Sequence, residues 1–190
     1  MKERPILFSA PMVRAILDGS KTQTRRIVKP QPNGAWSTDP CVAMKNGLLH
    51  WAMNTPSGKV IISDLKCPYG KPGDQLWVRE TWCPDFDPYT FRYKADGGEP
   101  LIRWRPSIHM PRWASRTQLE VLNVRVERLQ DISQAGCIAE GVEYRPTGVV
   151  GWDLDIGQRF ADLWSKINGP ESWDANPWVW RIEFQKIERK

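Results

Sequence analysis

Proline sets the first limit on this chain. Sixteen prolines interrupt 190 residues and gather in irregular stretches. Proline lacks a backbone N–H and clashes inside a helix, so these stretches predict ordered loops between short elements. The pattern between them names the elements. Arg4 to Phe8 reads as a strand, and a helix starts at Ser9 or Ala10 with Pro11 in its first turn. Met12, Val13, Ile16 and Leu17 make its apolar stripe, and Gly19 is a left-handed stop. Extended chain follows through Arg26.

Residues 29–66 read as a Pro/Gly-rich insertion, punctuated by Pro30, Pro32, Asn33-Gly34, Pro40, Asn46-Gly47 and Pro56-Ser57-Gly58. Leu48 to Met53 can pair back on Cys41 to Met44, and Val60 to Ile62 offers another strand. After a turn at Tyr69–Asp74, the strand Gln75–Trp82 puts Leu76, Val78 and Glu80 on one face and Trp77, Arg79 and Thr81 on the other. A carboxylate in line with two apolar residues implies an opening to solvent or a cation opposite it. Phe91 to Lys94 is a short strand. Thr117 to Arg128 is the longest; its apolar phase changes near Val121-Leu122, which predicts a bulge. Ser133 caps a short helix ending at Glu140 and Gly141. Ile156, Phe160, Leu163, Trp164 and Ile167 mark an amphipathic helix, and Trp178 to Phe184 is the last strand. This order excludes a clean βαβ series. It predicts one α+β domain over 1–190: a small mixed or antiparallel β-barrel with about three flanking helices.

An apolar share of 41% excludes disorder. Lys plus Arg exceed Asp plus Glu by 27 to 22, a net charge of +5 that permits an anionic partner without requiring one. Eleven tryptophans are more than such a core needs, which leaves one or two for a ligand cleft. No run of 18 apolar residues predicts a membrane span, and the N-terminus lacks a secretory h-region. Cys41, Cys67, Cys83 and Cys137 form no C-x₂-C pair and read as free thiols of a cytoplasmic protein. Cys41, His50, Cys67 and Cys83 lack the spacing of a zinc site, so no metal and no cofactor is expected.

Three groups of residues carry candidate chemistry. Lys21, Thr24, Arg25 and Arg26 follow the first helix. They read as a solvated basic turn, or as a site where Thr22 and Thr24 beside three cations hold a phosphate or a polarised carbonyl. In the second reading a buried lysine can act as a base and the adjacent hydroxyl as a nucleophile. The glycines of a phosphate-binding Walker loop are missing. Glu80, beside Arg79, and Glu140 are the carboxylates to watch; at a helix end Glu140 calls for a nearby cation. In residues 103–116, Trp104, Arg105, His109, Arg112, Trp113 and Arg116 either bind phosphates and stack on bases or form a packed loop whose arginines meet acidic residues.

Gly19-x-Lys21-x-x-x-x-Arg26 resembles the opening signature of the ASCH domains, a branch of the PUA-like superfamily. Pro72-Gly73-Asp74 leading into Leu76–Glu80, and Trp178 to Phe184, resemble later strands of that fold. The segments PILFSAPMVRAILDGSKTQTRR, WRPSIHMPRWASR and SWDANPWVW are similar to a group of ASCH proteins from phages and enterobacterial prophages. The resemblance implies a PUA-like barrel with a cleft that binds RNA, single-stranded nucleic acid or a modified nucleoside. Some small ASCH members are metal-independent amidohydrolases that release acetate from N4-acetylcytidine. The motif match carries their lysine, threonine and arginine to Lys21, Thr24 and Arg26, and their glutamate to Glu140. A phage accessory protein that binds another protein is a third reading. The oligomeric state stays open.

Overall fold

The structure, a computed structural model, describes residues 1–31, 41–45, 48–54, 60–87, 89–143 and 155–188. Among these residues ten strands and three α-helices alternate irregularly. They are β1 (Glu3–Leu7), α1 (Ala10–Leu17), β2 (Gln23–Ile27), β3 (Cys41–Lys45), β4 (Leu48–Asn54), β5 (Val60–Lys66), β6 (Gln75–Arg79), β7 (Trp82–Pro84), β8 (Phe91–Tyr93), β9 (Gln118–Arg128), α2 (Gln134–Ala139), α3 (Asp155–Asn168) and β10 (Trp178–Lys186).

The main sheet has five strands in the order β1-β6-β9-β10-β2. Only β1 and β6 run parallel; the other neighbours are antiparallel. The architecture is therefore α+β with a mixed sheet, as its irregular element order implies. The sheet is not closed: β1 and β2 are its edges. A side chain links them: Arg26 Nη2 donates to Leu7 O at 2.7 Å. β3, β4 and β5 form a separate antiparallel meander inside the insertion, and β7 pairs with β8. The Asn46-Gly47 turn, and the turns at Pro32, Asn33-Gly34, Pro40 and Pro56–Gly58, lie outside the described residues.

The bulge falls where the phase change in β9 places it. Opposite β10, Glu183 faces Asn123 but Phe184 faces Val121, so Leu122 is left over. Beyond it both runs of β9 turn apolar residues inward. Leu119, Val121 and Val124 meet Leu76, Val78, Trp180, Ile182 and Phe184 in a core closed by Val13 and Ile16 of α1.

Three readings of the elements need correction. Leu17 is exposed, and the small Ala15 is buried instead, because the end of α1 abuts the chain at Lys21. The strand after Asp74 breaks at Glu80 and Thr81, where the chain leaves the sheet to form the β7–β8 hairpin. Alternation along β10 sets Val179 with Arg181 and Glu183, away from Trp180, yet it is fully buried: it packs with Phe160, Trp164 and Cys137 in a second core made by α2 and α3. The main sheet is thus covered on both faces near its β2 edge. Among the described residues no helix is long and apolar enough to cross a membrane.

Candidate functional site

Three chain ends meet at Lys21. The Lys21 N–H donates to Ala15 O at the end of α1, and the Thr22 N–H donates to Ala139 O at the end of α2. Lys21 and Glu140 form an isolated antiparallel bridge. This approach depends on glycine. Gly141 has φ +83°, and a Cβ there would stand 3.0 Å from the Ala15 Cβ and 3.1 Å from the Lys21 Cβ. Ser133 caps the other end of α2, its Oγ accepting from Gly136 N at 3.1 Å.

Lys21, Thr24, Arg25 and Glu140 are all buried. The Lys21 ammonium donates to Gln23 O, Glu140 O and Glu140 Oε2, each at 2.7 Å. Three acceptors use all three protons of an ammonium, and a neutral amine could not satisfy them. Burial nevertheless pulls the lysine below its ordinary value of 10.5; Glu140 pushes it back, and Arg26 and Arg25 add to the fall. The second carboxylate oxygen, Glu140 Oε1, accepts from Arg25 Nη1 at 3.0 Å. Arg25 in turn meets Glu127, with its Nη2 2.7 Å from Oε1. A buried chain of alternating charge therefore runs Lys21–Glu140–Arg25–Glu127. It supplies the cation that a carboxylate at a helix C-terminus requires.

Thr24, opposite Ile182 in the sheet, differs from these groups. Its hydroxyl makes no hydrogen bond with protein among the described residues. It lines a small cleft of about 50 Å³ together with Lys21, Arg26, Glu140, Phe8 and Leu163. The Arg26 guanidinium lies 5.2 Å from the Phe8 ring centroid and Lys21 Nζ lies 5.6 Å from it, so one aromatic ring serves both cations. A wider recess of about 300 Å³ adjoins this chamber, sharing Arg25, Arg26 and Asn168 with it and adding Lys29, Tyr69 and Trp180.

The sequence therefore pointed to Lys21, Thr24, Arg26 and Glu140, and these residues share one cleft. It pointed to neither Tyr69, at the start of the turn before β6, nor Asn168, the last residue of α3, nor to the Arg25–Glu127 pair. One signal for the cleft wall was present: the apolar stripe of α3 runs on to Ile167, which is 56% exposed and lines the cleft.

The other candidates lie elsewhere. Glu80 is fully buried and takes a bidentate pair from Arg116, at 2.9 and 3.1 Å; Arg116 also binds Asp96 and lies 4.0 Å from the centroid of the Tyr93 ring. Burial raises the Glu80 carboxyl above its ordinary value, and Arg116 opposes this. Arg112 pairs with Glu3 at 2.8 Å, and the Arg79 guanidinium donates to Ile108 O. His109 is exposed and Trp104 half-buried. Trp113 is 69% exposed but leans on Trp82 and Phe91. Arg105 is exposed and stacks over Trp82. Three of the five arginines at residues 79 and 103–116 are thus spent on the fold. Among the described residues no three His, Cys, Asp or Glu side chains gather as a metal site needs.

No protein-family model matches the chain, and no curated protein or solved structure matches it either.

Proposed function

We propose that the chain is a PUA-like domain of ASCH type whose cleft receives one modified pyrimidine nucleoside, free or as an unpaired residue of RNA. The reading rests on one observation: Lys21, Thr24, Arg26 and Glu140, which span 119 positions of sequence between Lys21 and Glu140, line one cleft. The dimensions support it. The outer recess, about 300 Å³, is at the small end of the usual range for small-molecule sites. The inner chamber, about 50 Å³, holds only a few atoms beyond the space one water needs. A base in the outer recess would point a small substituent at Thr24. The link between β1 and β2 through Arg26 supports treating the curled sheet as an opened PUA-like barrel. Calorimetric titration tests the reading. N4-acetylcytidine should saturate a single site, and Thr24→Val and Asn168→Ala should each weaken it about tenfold, which is the loss of one hydrogen bond of about 1.4 kcal/mol. An absence of saturable heat sinks the idea.

The unpartnered Thr24 hydroxyl favours a second reading, hydrolysis of an amide on that nucleoside. Thr24 Oγ would attack the amide carbonyl, the C–N bond would break and the amine would leave with a proton. Water would then release the acyl group from Thr24. Lys21 at rest is an ammonium, so it first serves as a donor that steadies negative charge on the carbonyl oxygen. To take the Thr24 proton it must pass one of its own to Glu140, 2.7 Å away. Release of cytidine from N4-acetylcytidine by the wild type, and its loss in Thr24→Val, would support this reading. A wild type that binds the nucleoside without turning it over leaves binding as the function.

A further inference from the structure

A second concave site lies on elements that contribute nothing to the Lys21 cleft. It measures about 500 Å³ and is lined by Cys83, Pro84, Asp85, Leu101, Ile102, Arg103 and Arg105. Its walls are mainly apolar, and its two cations have no acidic partner among the described residues. Neither Arg103 nor Arg105 makes an ion pair or a side-chain hydrogen bond among the described residues. The acid in the wall does not neutralise them, because Asp85 Oδ1 is held by the Phe86 N–H at 2.9 Å and by Arg92 Nε at 3.1 Å.

Arg105 is also placed in advance. Arg105 exchanges backbone hydrogen bonds with Trp82, N to O at 2.8 Å and O from N at 3.3 Å, so it extends the β7–β8 hairpin by one bridge. Its guanidinium rests 5.2 Å from the centroid of the buried Trp82 ring. Arg103, two positions earlier, lines the same recess, while Trp104 between them does not. Little side-chain freedom is left for a ligand to remove at Arg105. Large apolar side chains face water in the wall of the recess and in the β7–β8 turn that follows Asp85: Ile102 is 89% exposed, Phe86 81% and Tyr89 87%. Exposed aromatic and aliphatic groups beside unpaired arginines have the composition of an interface centre.

We infer that this face docks a partner protein through an apolar anchor side chain flanked by acidic residues. The anchor enters between Pro84, Leu101 and Ile102, and its carboxylate neighbours meet Arg103 and Arg105 in charge-assisted hydrogen bonds. Aliphatic walls suit a Leu- or Phe-type anchor better than a nucleobase, which stacks on aromatic faces. The site is independent of the nucleoside cleft, and its test separates the two. A display library of random 12-residue peptides is selected on the wild-type protein, and recovered peptides are measured on Ile102→Asp and on the Arg103→Ala/Arg105→Ala double variant. All of these positions are exposed, so folding is preserved; binding of N4-acetylcytidine should match the wild type. The expected pool is enriched in Asp or Glu beside Leu or Phe, and its peptides bind each variant at least tenfold more weakly. A pool without acidic enrichment, or peptides that bind both variants as they bind the wild type, overturns the inference. So does a single-stranded 12-nucleotide RNA whose affinity depends on these arginines while no acidic peptide is selected.

Discussion

At the scale of single residues the cleft is governed by how each buried charge is satisfied. Glu140 has both oxygens engaged, one by Lys21 and one by Arg25. Removing one member of such a group leaves the others buried and unpaired, which costs about 3–5 kcal/mol. Glu140→Gln should lower unfolding stability by about that amount, measured by urea denaturation; a change within the noise would mean that the network is wet. Glu80 gives a pH prediction. Its carboxyl is raised by burial above 4.5 in the fold, so the native state keeps that proton to higher pH than the unfolded chain does. Stability from this group is therefore full below 4.5 and falls as pH rises through the raised native value. The stability difference between wild type and Glu80→Gln should shift in favour of the variant as pH rises above 4.5. A difference constant across that rise would contradict the assignment. The sequence foretold a cation for Glu140, because an acid at a helix C-terminus needs one, and for Glu80 either a cation or an opening to solvent. It could not say which cation, since Arg116 and Lys21 reach them from 36 and 119 positions away.

Among the elements, the short helix α2 positions the site, and its two glycines explain how. A Cβ at Gly136 would stand 3.2 Å from Arg25 Nη2, and one at Gly141 would press on Ala15 and Lys21. At Gly141 the backbone also has φ +83°. Gly141→Ala combines this strain with the contact and should cost about 1–3 kcal/mol. It should also loosen Lys21 from Glu140, seen as faster hydrogen exchange at the Thr22 amide. Unchanged exchange there would mean that α2 does not brace the cleft. Most elements could be read from local chemistry. Gly19 stops α1, Ser133 caps α2, and the phase change of β9 marks its bulge, because each depends on neighbours in the chain. Leu17 and Val179 could not be read this way. Whether an apolar side chain is covered depends on which other element arrives, and α3 arrives over Val179 from the far side of the sheet.

For the whole molecule, alternation in the strands specified two faces and a mixed set of strands but not closure. Whether β1 and β2 meet is decided by accumulated twist and by the side chains between them, here Arg26 and Phe8. The same geometry opens the cleft at that seam, between the edge of the sheet and α3. The residues that line it come from α1, β2, α3 and β10, from Glu140 just past α2 and from the turn at Tyr69, so the cleft exists only in the assembled fold. The most direct test of the proposed function is a crystal structure of the Thr24→Val variant, which removes the hydroxyl and any turnover, soaked with N4-acetylcytidine. Electron density for the base is expected in the recess between Tyr69 and Asn168, with the acetyl group in the inner chamber beside residue 24. Density for the nucleoside at another surface, or an empty cleft at saturating concentration, would contradict the proposal.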